Sequence, residues 1–282
     1  MKKRKSLFIG IIIYGVLLIG TIIMLMPLLW MLLTSLKTFD EVLISPPIWI
    51  PKSFQWNNYV ESLITFNFTL YLKNSLFLAI MIIIGTLVSS SMAAYGFACL
   101  NTREGNLIFG ILLSTLMLPG QVTIIPLFQL FVKLNWINTY YPFIVPAWLG
   151  VNVFAIFLLR QFFKTIPCDY IDAARLDGAS ELGILIRIFI PLSKPALLTI
   201  TVFTFIGAWN DLWGPLIFLR NENLFTLPIG LLNFIGLSGD VRGTPWQLVM
   251  AVSTIMMIPI IIIFFLAQKK FIQGISLTGI KG

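Results

Sequence analysis

The sequence predicts an all-α integral membrane protein, with six transmembrane helices and a cytoplasmic helix-turn-helix between the fourth and the fifth. Three observations carry that expectation. Of the 282 residues, 58% are hydrophobic and only 11% charged, too apolar for a soluble domain, whose surface must carry many charges. The charges gather between long apolar runs, each near or above the ~20 residues that a helix needs to cross a hydrocarbon core. The segment 160–194 breaks this rhythm with polar residues that start and stop short helices.

Lys2, Lys3, Arg4 and Lys5 precede an apolar run from Leu7 to Leu36. That run is too long for the core of a cleavable signal and lacks a convincing cleavage site, so it is expected to be a retained first span behind a cytoplasmic segment 1–6. Further spans are expected at about 74–100, 107–131, 142–159, 195–219 and 247–268, with 269–282 as a C-terminal tail. With the N-terminus inside, thirteen of the 19 Lys and Arg residues fall in cytoplasmic segments and six outside. The positive-inside bias therefore predicts cytoplasmic termini on both ends.

Several function classes are excluded. There is no histidine, and the two cysteines, Cys99 and Cys168, are far apart, which leaves neither a metal site nor a Cys/His nucleophile. Both cysteines are expected on the reducing side, with structural roles. No G-x-x-x-x-G-K-[ST] loop cradles a phosphate, so ATP chemistry belongs to another chain. The net charge of +8 does not form the aromatic-interleaved stripe of a nucleic-acid binder.

Within the expected spans, the one ionisable residue short of the ends is Asp211, in Trp209-Asn210-Asp211-Leu212-Trp213-Gly214-Pro215. A carboxylate in lipid is costly, so it either lines a polar pathway or packs at an interface, bonded to Asn210 or to freed backbone groups. Ion-coupled carriers and intramembrane enzymes place several such groups near the midplane. Their absence points to a driving force outside the bilayer.

In the loop 160–194, Asp169 is placed to cap a first helix after Pro167, with Asp172 near the positive end of its dipole and Gly178 as its stop. Ser180 then caps a second helix, with Glu181 in its first turn, expected to end before Pro191 and Pro195. Ala173 and Ala174 expose little side chain, so another protein's surface can approach closely. From spacing alone, an amphipathic connector lying on the membrane remains an equal alternative.

Asp172-Ala173-Ala174, then Gly178, then Ile188-Phe189-Ile190-Pro191 resembles the E-A-A, G, I-x-L-P signature of binding-protein-dependent ABC importer permeases. Asp172 stands in place of the usual Glu, and Ile190 in place of Leu. Phe162-Phe163-Lys164-Thr165-Ile166-Pro167, Leu176-Asp177-Gly178-Ala179-Ser180, Met117-Leu118-Pro119-Gly120-Gln121, Ile125-Pro126, Trp209-Asn210-Asp211 and Gly279-Ile280-Lys281-Gly282 extend the likeness over almost the whole chain. They resemble the smaller membrane subunit of the maltose and related sugar importers.

The resemblance implies a permease that forms an alternating-access pathway with a second permease subunit. A cytoplasmic ABC ATPase dimer would bind ATP and Mg²⁺, and an extracytoplasmic sugar-binding protein would deliver cargo; this chain holds no cofactor. Asp172, Ala173, Ala174, Asp177 and Gly178 would then form the loop that seats on the ATPase. The tail 271–282 would either reach the ATPase or hang free. Trp209, Asn210, Asp211 and Trp213 would line the pathway, since aromatic faces and amides suit a neutral carbohydrate. Gly236, Leu237, Ser238 and Gly239 in the outer loop would either enter the binding protein or serve as a connector. A glycerol phosphate or phosphodiester importer is the main alternative, disfavoured by the lack of Arg or Lys inside the spans; a secondary transporter is a more distant one.

Overall fold

The computed structural model describes residues 2–100, 103–167, 169–236 and 243–278, and all regular elements among them are helical. In chain order they are α1 Lys2–Ser35, α2 Phe39–Leu43, α3 Asn57–Thr65, α4 Phe68–Cys99, α5 Arg103–Ser114, α6 Gly120–Lys133, α7 Tyr141–Trp148, α8 Val153–Phe163 and α9 Asp169–Leu176. There follow α10 Glu181–Ile184, α11 Ile190–Leu192, α12 Lys194–Trp209, α13 Trp213–Phe218, α14 Leu227–Gly236 and α15 Trp246–Thr278. Among the described residues, four helices are long and apolar enough to cross a membrane, or six when each of two bent pairs counts as one span.

The chain divides into two compact units, residues 1–69 with 231–258, and residues 70–230 with 259–282. In the first, the apolar window of α1 has none of its residues buried, as befits a helix whose solvent is lipid. Its last turn is finished by α3: the Asn58 amide donates to Ser35 O at 2.8 Å and Lys37 O at 2.9 Å, filling carbonyls that the helix end leaves open. Lys37, 1% exposed, lies over the Trp30 ring at 4.0 Å, where the ring's electron-rich face holds the cation.

Thr38 and Glu41 form a capping box at the start of α2. Glu41 Oε1 also accepts from Lys52 N at 3.0 Å. That hydrogen bond, then the one from Thr38, outweighs burial and holds the Glu41 carboxyl below its ordinary 4.5. A carboxylate depressed on folding stabilises above its ordinary value and loses the contribution as pH falls through the folded one. The protection factors of the Thr38 and Lys52 amides, their exchange rates taken relative to a free chain at the same pH, should therefore be high and constant above pH 4.5 and fall below it. Glu41→Gln should lower them above pH 4.5 and converge with wild type at low pH, where the carboxylate is protonated.

In the second unit the expected spans depart from straight rods. The run read as 107–131 is broken: Leu118 is extended (ψ 120°), Pro119 opens α6, and the two arms meet at 102°. A proline forces its predecessor out of the helical region and donates no amide, so the chain turns there. The run read as 142–159 breaks between α7 and α8 at Gly150, with φ +75°. The run read as 195–219 stops at Trp209, which puts Asp211 in the break before α13 and not within a helix. At the far end, α15 continues past Gln268 to Thr278, into the segment expected to be a tail.

The second loop helix also outruns expectation. Helical backbone continues from Glu181 through a π-turn at Leu185–Phe189 into α11, which contains Pro191. The wider turn accommodates the proline without an i−4 partner. The bend to α12, 82°, comes at Ser193, two residues before Pro195.

A cluster of buried side chains unites the ends of these helices: Ala94 and Tyr95 of α4, Ile156, Leu159 and Phe163 of α8, Ile171 of α9, Ile184 and Phe189. Phe189 sits edge-on to both Tyr95 and Phe163, with ring centroids 5.1 Å apart in each pair. Arg160, 7% exposed, adds polar ties. It donates to Phe97 O and Asn106 Oδ1, both at 3.1 Å, and lies 4.0 Å over the Phe109 ring. The loop 160–194 is thus packed into the bundle.

Candidate functional site

The turn between α9 and α10 is built from its hydrogen bonds outward. Gly178 has φ +77°, a region that only glycine enters without strain. Gly178 N donates to Arg175 O at 3.0 Å and Ala179 N to Ala174 O at 2.9 Å, the paired bonds of a Schellman motif. Ser180 caps α10, its hydroxyl accepting from Gly183 N at 3.2 Å.

Of the residues expected here, Asp172, Ala173, Asp177 and Gly178 are exposed and Ala174 is half-buried, while Ile171 on the opposite face is 5% exposed. The structure therefore brings all five onto one turn whose back is anchored. It adds Leu176, 89% exposed, which the sequence reading did not single out. A large apolar side chain on a rigid polar turn is a ready anchor for a partner's cleft.

Arg175 Nε donates to Glu181 Oε1 at 2.8 Å, and Tyr95 Oη donates to Glu181 Oε2 at 2.5 Å. Those two hydrogen bonds, the Arg175 one foremost, hold the Glu181 carboxyl below its ordinary range. Glu181 thus remains an anion that bridges α9, α10 and α4.

The four residues expected along a pathway are not brought together. Trp209 is 1% exposed and stacks on Phe205 with centroids 5.2 Å apart. Asn210 donates to Ile206 O at 3.0 Å, closing α12, and Trp213 is 70% exposed. Asp211 alone lines a cavity of about 480 Å³, with Asn152, Phe143, Phe154, Phe203, Thr204 and Gly207 among its other walls. That volume lies within the ~300–1,000 Å³ of small-molecule sites.

Asp211 Oδ1 accepts from Gly214 N at 3.0 Å, in the manner of a cap on α13. The Asn152 side chain caps α8 through Ala155 N, at 3.0 Å. Phe154 and Phe203 present rings 88° apart in plane, with centroids 5.9 Å apart. A Cβ on Gly214 would stand 2.5 Å from Asp211 Oδ2, so the carboxylate keeps its place because residue 214 has no side chain.

The sequence held a signal for this wall. Ile200, Phe203, Thr204, Gly207 and Ala208 recur at three- and four-residue steps along α12, one helical face with small and polar members, and Asp211 continues the step just past its end. Of the loop expected on the outer side, Gly236 ends α14, whereas Leu237, Ser238 and Gly239 lie outside the described residues, as do Cys168 and the segment Gly279–Gly282.

The family described as binding-protein-dependent transport system inner membrane component matches residues 2–277. The chain is 37% identical to the arabinooligosaccharides transport system permease protein AraQ of Bacillus subtilis, covering 93% of this chain and 92% of that one. It is 33% identical to the sn-glycerol-3-phosphate transport system permease protein UgpE of Pectobacterium atrosepticum, covering 98% of each. It matches a chain in the crystal structure of a bacterial ABC transporter that imports the acidic polysaccharide alginate. That match has a TM-score of 0.82 and 25% identity, covering 94% of this chain and 97% of the other. With an exposed, anchored loop, apolar helices and a match from end to end, the chain belongs to the binding-protein-dependent inner-membrane components and is a multi-pass permease subunit of an ABC importer.

Proposed function

We propose that this permease, paired with a second one, lines an alternating-access path for a neutral sugar or oligosaccharide, and that the turn from Asp172 to Gly178 docks on a cytoplasmic ATPase. ATP and Mg²⁺ act on that ATPase, and an external sugar-binding protein delivers the cargo. Both termini face the cytoplasm, in keeping with the Lys and Arg bias.

The observation that carries the reading is the exposed turn locked by its Schellman bonds and seated in a buried cluster. A rigid contact of this kind lets a closing ATPase bias a two-state bundle, because energy passes only through contacts that differ between states.

The cavity favours an uncharged cargo. Its walls carry the Asp211 carboxylate, an amide, a hydroxyl and three phenyl rings, with no Lys or Arg among them. A sugar stacks on such rings and bonds to such polar groups, whereas a phosphate calls for cationic partners. In proteoliposomes holding the complete complex and its binding protein, neutral oligosaccharide should be taken up with ATP hydrolysis and glycerol 3-phosphate should not. Uptake of glycerol 3-phosphate with indifference to neutral sugars would overturn the assignment.

A further inference from the structure

We propose that Glu181 is a positioning residue that fastens the docking turn to α4, by accepting the Tyr95 hydroxyl on one oxygen and the Arg175 guanidinium on the other. It rests on the docking reading above and says how movement of the turn reaches the membrane.

Three observations converge on it. Tyr95 lies four residues from the end of the 32-residue span α4, yet its hydroxyl meets a carboxylate 86 positions away in the loop. Its ring is 5% exposed and packs edge-on against Phe189, so the hydroxyl is aimed by a fixed ring. Arg175 belongs to the docking helix itself, and its Nε bond to Glu181 closes across the Gly178 turn. One carboxylate therefore joins the helix before the turn, the helix after it and a transmembrane span.

Apolar packing alone allows the loop helices to slide over the end of α4. Two hydrogen bonds to an anion are directional and stronger than neutral ones, so they resist that sliding. The loop and α4 then move as one body when the docked turn moves, and a tilt at the ATPase becomes a tilt of the span. Without the strut, the ATPase closes while α4 lags.

The test uses the whole complex reconstituted with its binding protein, comparing Tyr95→Phe, Glu181→Gln and the double variant with wild type. Tyr95→Phe removes one oxygen and keeps the buried ring, so ATPase retention and basal hydrolysis should match wild type, with the melting temperature lower by only a few degrees. Sugar moved per ATP hydrolysed should fall about tenfold, as expected for losing a hydrogen bond to a charged group. The double variant should fall no further than the worse single, because both changes cut one connection.

An undiminished transport ratio in Tyr95→Phe, or a double variant that falls by the product of the singles, would overturn the strut. Retention of the ATPase is read separately with Gly178→Pro. If that variant keeps the ATPase as wild type does, the docking reading fails and the strut has no movement to transmit.

Discussion

Gly178→Pro should strip the ATPase from the purified complex while the two membrane subunits stay paired. Two local effects add. The substitution forces φ from +77° to about −65° and removes an amide, the one that donates to Arg175 O. It also drives Asp177 out of the helical region, so α9 loses its last turn together with the placement of Asp177 and Leu176.

Proline cannot adopt that φ at all, so the turn is lost rather than strained, and retention should weaken by more than for any other substitution there, on the order of a hundredfold. Gly178→Ala is the graded control. A Cβ there meets nothing within 4 Å, so its effect comes from backbone strain alone, ~1–2 kcal/mol, or about tenfold. Retention that is equal in wild type, Ala and Pro variants would show that the turn does not touch the ATPase. Loss of the membrane pair together with the ATPase would show a folding defect instead, which the exposed position of residue 178 argues against.

How much of this was legible depends on the length scale of each interaction. The helix-turn-helix at 169–184 was readable because its cause is local: Gly178 and Ser180 act on backbone groups within a few residues. The six apolar runs were readable because hydropathy sums over a window. Hydropathy is blind to direction, however, so the apolar run around Pro119 did not show how sharply it bends, by 102°, and Leu219 looked as helical as Trp209.

The orientation of the polar cluster at 209–213 was hidden for a similar reason. Aromatic and amide side chains suit a sugar, but composition does not say which way they point. Trp209 turned to its own neighbour Phe205 and Asn210 to its own helix end. The pairing of Tyr95 with Glu181 spans 86 positions and exists only once α4 and α10 are packed. Reading it from one sequence would require knowing the packing first.

The cavity along α12 makes the second strong prediction: Gly207→Trp blocks import and leaves the ATPase bound. Gly207 is a wall residue whose absent side chain leaves open space, with nothing within 4 Å of a built Cβ. An indole there occupies volume that the cargo needs, and the docking turn lies in a different part of the chain. If the cavity is on the path, cargo must distort the wall to pass. Overpacking of that kind costs ~1–3 kcal/mol, which slows uptake about ten- to a hundredfold.

Gly207→Ala separates blockage from damage to the helix. Alanine adds one methyl group to open space and replaces a residue that destabilises a helix interior by ~0.5–1 kcal/mol, so its uptake should equal wild type and its melting temperature should rise slightly. The decisive comparison is initial uptake rate against basal ATP hydrolysis in the same vesicles. A tryptophan variant that hydrolyses ATP as before and imports poorly places the cavity on the path. One that imports at the wild-type rate places the path elsewhere, and the Asp211 carboxylate then serves only the Gly214 amide at the start of α13.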